Sequence, residues 1–254
     1  MIYCTFAMST ALLFAGKRHD ADDVTSFFFL TRPPFVFLPG QFLDLRLEHP
    51  DADARGTSRP FTIASAPSEP LLRITTRIRG LPSTFKQALS RLVPGVVVEA
   101  SGPYGEFVCA NPRGPVVFIA GGIGITPFRS MLAELAARGR RPAITLLYSN
   151  ASQDIPFRAF FDGLQPAWPE LRLAYTVTRP LPRWGGPIGR IDARFIRANV
   201  ANMNASRFFV CGPSGFVAAI AGTLHDLGIP DGRIKREGFP GYEPAAESAR
   251  VALV

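Results

Sequence analysis

Val116-Val117-Phe118-Ile119-Ala120-Gly121-Gly122-Ile123-Gly124-Ile125-Thr126-Pro127 decides the fold of this chain. Val116 to Ala120 is apolar without a break, as expected of a strand buried on both faces. The glycines that follow permit a tight turn. Pro127 suits the first turn of a helix, where its missing N–H is not needed. From Pro127 to Arg138, Phe128, Met131, Leu132 and Leu135 recur at helical spacing. Strands are expected again at Ile144–Tyr148, Leu171–Val177 and Phe208–Val210, and a second helix at Ser214–Leu227. Alternating strands and helices predict a parallel, Rossmann-like α/β sheet.

Upstream the period changes. Thr10–Ala15, Val24–Leu30, Gln41–Leu47, Arg59–Ala64, Leu72–Ile78 and Val96–Ser101 are short β-prone runs with turn residues between them. They predict a six-stranded antiparallel β-barrel. One helix interrupts them, with Ser83 as N-cap and Phe85, Leu89 and Leu92 on one face. The boundary is placed in Asn111-Pro112-Arg113-Gly114-Pro115. The expected organisation is therefore two domains, residues 1–111 and 112–254.

The chain has 254 residues and a formal net charge of +8. Lysine occurs only at Lys17, Lys86 and Lys235, so arginine carries the positive charge. A basic surface suits an acidic partner. No dense basic run supports nucleic-acid binding. Cys4, Cys109 and Cys211 are too far apart for a zinc or iron–sulfur framework, and their odd number fits a reducing cytoplasm. No metal site is expected. No apolar stretch reaches the length of a membrane span. The uncharged N-terminus lacks the basic region of a signal peptide, and Met8 offers an alternative start.

Three segments suggest chemistry. In Arg59-Pro60-Phe61-Thr62, Arg59 can form a charge-assisted fork with a phosphate. Phe61 points to the same side of the strand and offers a flat ring. Thr62 adds a hydroxyl. In Gly80-Leu81-Pro82-Ser83-Thr84, the glycine lets backbone approach a ligand, and the helix start presents free amides to an anion. Gly121, Gly122 and Gly124, followed by Thr126 and Pro127, have the strand–turn–helix setting of a dinucleotide loop. Alone, each is compatible with an ordinary strand edge, turn or cap.

Taken with Gly102-Pro103-Tyr104-Gly105-Glu106-Phe107, Cys211-Gly212-Pro213 and Glu237-Gly238-Phe239, their order resembles the ferredoxin–NADP reductase superfamily, from about Thr10 to Phe239. The resemblance implies FAD held by Arg59, Phe61, Thr62, Thr76, Arg77, Gly80, Ser83 and Thr84, with FMN the lesser choice. It implies a nicotinamide nucleotide held by Gly121, Gly122, Gly124, Thr126, Pro127, Cys211, Gly212 and Pro213, with Phe239 also lining the cofactor site. Thr62, Cys211 and Glu237 would be the catalytic residues. Cys211 would orient the nicotinamide, and Glu237 would relay protons or hold charge. Relatives selective for NADPH often carry an arginine after the second parallel strand. Here Ser149-Asn150-Ala151-Ser152-Gln153-Asp154 is neutral until Asp154, which favours NADH, whereas Arg179 favours a 2′-phosphate. The expectation is NADH over NADPH. The implied activity is an FAD-dependent NAD(P)H reductase passing electrons to an external acceptor, such as an acidic ferredoxin, a flavodoxin or an oxygenase component. A flavin-binding regulatory subunit without its own turnover is the rival, and a ferric or flavin reductase a third. Pro240–Val254 departs from the family, which often ends near Glu-x-Phe. It is expected to be an exposed tail, or else to let Tyr242 cap the cofactor.

Overall fold

The computed structural model describes residues 9–80, 82–109, 112 and 114–239. The expectations for Cys4, Met8, Asn111 and the tail with Tyr242 lie outside these residues. The chain forms two compact units, Met1–Ala110 with Thr126–Arg138, and Asn111–Ile125 with Gly139–Val254.

The first unit is built on β1 (Thr10–Ala21), β2 (Val24–Thr31), β3 (Phe42–Arg46), β4 (Ser58–Thr62), β5 (Leu72–Arg77) and β6 (Val97–Tyr104). They form an antiparallel sheet in the order β4-β3-β6-β1-β2-β5. A bridge between Ile63, the residue after β4, and Ile74 of β5 closes the barrel. Alternation places Leu12, Phe14, Phe27, Phe29, Leu43, Leu45 and Ile74 inside, each at most 1% exposed. Each such burial is worth about 1.5–3 kcal/mol relative to exposure. The helix α1 (Thr84–Arg91) adds Phe85 and Leu89 to this core, and Ser83 caps it by accepting from the Lys86 N–H.

β1 runs six residues beyond the expected Ala15. Lys17-Arg18-His19-Asp20 has the composition of a loop, but Lys17 to His19 continue the ladder to β2 after a bulge between Phe14 and Gly16, and Asp20 lies in a second bulge before Ala21. Asp20 is drawn in because its carboxylate pairs at 2.7 Å with the buried Arg73 and accepts from Ser26.

The helix α2 (Thr126–Ala137) also belongs to this unit. Arg129 forks onto Glu69 and donates to the Ala64 carbonyl, Ser130 donates to the Ser65 carbonyl, and the Ser68 N–H donates to Glu134. Burial pushes the Glu69 carboxyl up, but the Arg129 contacts outweigh it and leave it below the usual range.

The second unit is a parallel sheet of β7 (Val116–Gly121), β8 (Ile144–Asn150), β9 (Leu171–Val177), β10 (Arg207–Pro213) and β11 (Ile234–Phe239), in the order β11-β10-β7-β8-β9. All six residues of β7, its central strand, are buried. The helix α5 (Ser214–Asp226) buries Val217, Ile220 and Leu224 against it. Two short helices were not expected, α3 (Arg158–Leu164) and α4 (Ala193–Asn199). The first follows Phe157, whose φ of 62° is left-handed, and has no side-chain cap. The second is capped by Asp192, which accepts from the Phe195 N–H.

Candidate functional site

In the first unit, β4 and the start of α1 meet at Phe85. The Arg59 guanidinium lies 5.2 Å from the centroid of the Phe85 ring, and Phe61 lies 5.9 Å from it on a tilted plane. Phe61 is therefore part of the barrel core, at 9% exposure. Arg59 turns back to its own loop. Its Nη2 donates to Asp53 at 2.6 Å, and its Nη1 reaches the carbonyls of Arg55, Gly56 and Ser58 at 2.7–2.9 Å. Arg59 Nε is buried and has no hydrogen-bond partner.

Ser83 and Thr84 stand at the start of α1. The Thr84 hydroxyl is 3.2 Å from His49 Nε2, and the His49 ring meets Phe85 edge-on at 5.8 Å. His49 belongs to no motif in the sequence, so only the fold reveals its place here. Gly80 takes a φ of +49° with open space where a Cβ would stand, so it is needed for its backbone conformation. Thr62 is buried at the end of β4, opposite Phe42. Thr76 is buried opposite Thr25, and Arg77 is held by Asp23 at 2.8 Å.

An anion-bearing group such as a flavin phosphate fits this set. Arg59 has an unused buried donor, Thr84 offers a hydroxyl, and the helix start offers amides.

In the second unit, residues 121–125 lie on the end of β10. A Cβ on Gly124 would stand 2.3 Å from the Cys211 carbonyl oxygen. Cβ atoms on Gly121 and Gly212 would stand 2.8 and 2.7 Å from the ring of Phe216. These three glycines are therefore required first by packing within the protein. Gly122 supplies the turn, with a φ of +54°. Phe216, on the first turn of α5, reads in the sequence as an ordinary apolar helix position, and only the fold sets it against these glycines. Thr126 and Pro127 are buried and open α2.

Cys211 is fully buried and in register with Glu237 on the neighbouring strand. Its Sγ is 3.8 Å from Glu237 Oε2. Burial first, and then the neighbouring carboxyl, push the thiol well above its ordinary value. It is a neutral group here, unsuited to nucleophilic attack. Burial raises the Glu237 carboxyl to about 7, with the thiol hydrogen bond opposing the rise. Gly212–Gly238 and Pro213–Phe239 continue the register.

The loops after β8 and β9 are joined by backbone. Thr178 N–H donates to the Asn150 carbonyl, and Arg179 N–H to that of Ala151. The Asp154 segment and Arg179 thus belong to neighbouring loops, both side chains exposed. Gln153 Oε1 is buried beside them without a partner. No helix among the described residues is long and apolar enough to cross a membrane.

The oxidoreductase NAD-binding domain profile matches residues 118–222. A ferredoxin–NADP reductase B of Sorangium cellulosum is 29% identical over 216 residues, covering 81% of this chain and 86% of that protein. The chain is similar to members of the ferredoxin–NADP reductase superfamily. A flavohemoprotein of Deinococcus radiodurans is also 29% identical, over 80% of this chain. The chain spans 52% of that flavohemoprotein's length. Among solved structures, the FAD/NAD-binding domain of a nitric oxide dioxygenase from Vibrio cholerae superposes with a TM-score of 0.80 at 21% identity, over 91% of this chain and 98% of that domain. That likeness speaks for the fold. The six-stranded antiparallel sheet followed by the five-stranded parallel one is the two-domain fold of the superfamily.

Proposed function

We propose that the chain is an FAD-dependent NAD(P)H reductase passing electrons to an external acceptor. Residues 1–111 would form the flavin-binding domain and 112–254 the nucleotide-binding domain, in a reducing cytoplasm. The observation that carries the reading is the end of β10. There the glycine loop rests on Cys211 and Gly212, and a carboxyl with a value near 7 stands in register beside the thiol. Ligands of parallel sheets bind at such strand ends.

Flavin, when bound, supplies the change between two-electron and one-electron chemistry. The protein's part is binding, orientation and proton supply. Arg59, Ser83 and Thr84 would hold the cofactor phosphates, and Arg77 would stay with Asp23 as a support of the same strand. Thr62, buried at the end of β4, would supply the hydroxyl beside the ring. Gly121–Gly124 with Gly212 and Pro213 would receive the nucleotide. Cys211, neutral and fixed, would orient the nicotinamide. Glu237 would hold or release a proton near neutral pH. Asp154 and Arg179 would oppose each other over a 2′-phosphate, with NADH preferred. The acceptor would be an acidic redox protein, drawn by the net charge of +8.

The test is direct. The purified protein should carry non-covalent FAD, identified by mass spectrometry. It should also oxidise NAD(P)H with artificial acceptors. A protein that binds no flavin, or FMN alone, overturns the reading. Flavin reduction without turnover would identify the regulatory subunit instead.

A further inference from the structure

The Arg59 guanidinium already has an anion. The loop between β3 and β4 folds back on itself, with the Leu47 N–H donating to the Thr57 carbonyl and the Gly56 N–H to that of Asp53. Gly56, at a φ of +69°, makes the turn. Asp53 sits at its centre. One carboxylate oxygen accepts from Arg59 Nη2 at 2.6 Å and from the Arg55 N–H at 2.9 Å. The other accepts from Arg55 Nη2 at 2.6 Å. The hydrogen bond from Arg55 comes first among the contacts that hold the Asp53 carboxyl far below its usual range. Asp53 therefore stays charged at any working pH.

Carboxylate and phosphate oxygens use the same fork of an arginine. Nη2 is given to Asp53 and Nη1 to three carbonyls of the same loop, which leaves Nε as the unused donor. A phosphate approaching Arg59 must displace the carboxylate or accept it as a like-charged neighbour. The burial of the two partners is unequal. The Arg59 side chain is 12% exposed and the Asp53 side chain 31%. Arg59 is also held against Phe85 at the start of α1. The arginine is the fixed partner, and the carboxylate is the one that can leave towards water.

We propose that Asp53 is a built-in competitor for the cofactor phosphate. It occupies Arg59 until a phosphate takes its place, and so sets the affinity of the site. The inference rests on the flavin-binding reading and adds to it a residue that weakens binding.

The test is FAD titration of the flavin-stripped protein, followed by quenching of flavin fluorescence. Asp53→Asn should bind FAD about 3- to 5-fold more tightly, the scale of one part-exposed ion pair. Asp53→Ser should do the same, which guards against an artefact of the amide. The gain should vanish in an Arg59→Ala background, since the competition acts through that guanidinium. Asp53→Asn should also steepen the loss of affinity with salt, because the site then carries one more uncompensated positive charge. Weaker or unchanged binding in both Asp53 variants would overturn the competitor. A gain that persists without Arg59 would overturn it too. If the unaltered protein binds no FAD, both the competitor and the flavin reading fall. If it binds FAD and the Asp53 variants do not improve on it, the competitor alone falls.

Discussion

Replacing Glu237 with glutamine should stabilise the protein at alkaline pH and leave it nearly unchanged at acid pH. Burial raises the Glu237 carboxyl from an ordinary 4.5 to about 7. A difference of that size corresponds to about 3 kcal/mol of penalty on the charged form. The side chain keeps some access to water, so about 2–3 kcal/mol is the realistic range. Below pH 4.5 the folded and unfolded chains both hold the proton, and Glu237 costs nothing. Between 4.5 and about 7 the unfolded chain releases the proton while the folded chain keeps it, so stability falls as pH rises. Above about 7 the folded chain is charged as well, and the loss levels off. Glutamine keeps the shape and cannot ionise. The assay is thermal melting of both proteins from pH 4.5 to 8.5. A penalty of this size should separate the melting temperatures by about 6 °C at pH 8, given about 2–4 °C per kcal/mol for a chain of this length. A separation independent of pH, or a glutamine variant that melts lower at pH 8, would refute the argument that burial governs this carboxyl.

Four other outcomes are expected. Gly124→Ala should destabilise by about 1–3 kcal/mol in denaturant titration, because its Cβ would stand 2.3 Å from a backbone oxygen that cannot turn aside. Asp20→Ala should cost about 3–5 kcal/mol by the same measurement, since it leaves the buried Arg73 without its ion partner. Steady-state specificity constants should favour NADH. Asp154→Ala should narrow the preference and Arg179→Ala widen it, each by about 2- to 5-fold, as befits exposed charges. Electron transfer to an acidic redox protein should slow as ionic strength rises, and a flat stopped-flow profile would point to a neutral acceptor.

The sheets were legible in the sequence because their two periods differ. The unbroken run Val116–Ala120 marks a strand covered on both faces, and Gln41–Leu47 alternates as a barrel wall does. Elements that lean on distant partners were not legible. Lys17–Asp20 has the composition of a loop and becomes strand because Arg73, far away in sequence, draws Asp20 inward. The start of α3 follows a left-handed Phe157, which no local pattern announces. Asp192 is a local cap signal for α4, since an aspartate three residues ahead of Phe195 can accept from its N–H. At the site, Cys211 and Glu237 were readable as motifs, but their pairing depends on the register of β10 and β11. His49 stayed hidden because its neighbours Thr84 and Phe85 come from a distant helix start. Asp53 lies near Arg55 and Arg59 in the chain, but only the turn at Gly56 brings the three together.

The membership of α2 has a consequence for biosynthesis. When residues 1–111 have left the ribosome, all six barrel strands exist, but the helix that receives Glu69 and the Ala64, Ser65 and Ser68 backbone does not. Phe107 likewise waits for Phe128, whose ring will lie 5.8 Å from its own. The first unit can reach its final form only after β7 and the glycine loop have been made. Nascent barrels released short of residue 138 would expose the Ala64–Glu69 stretch and the Phe107 ring, a surface suited to chaperones or to aggregation.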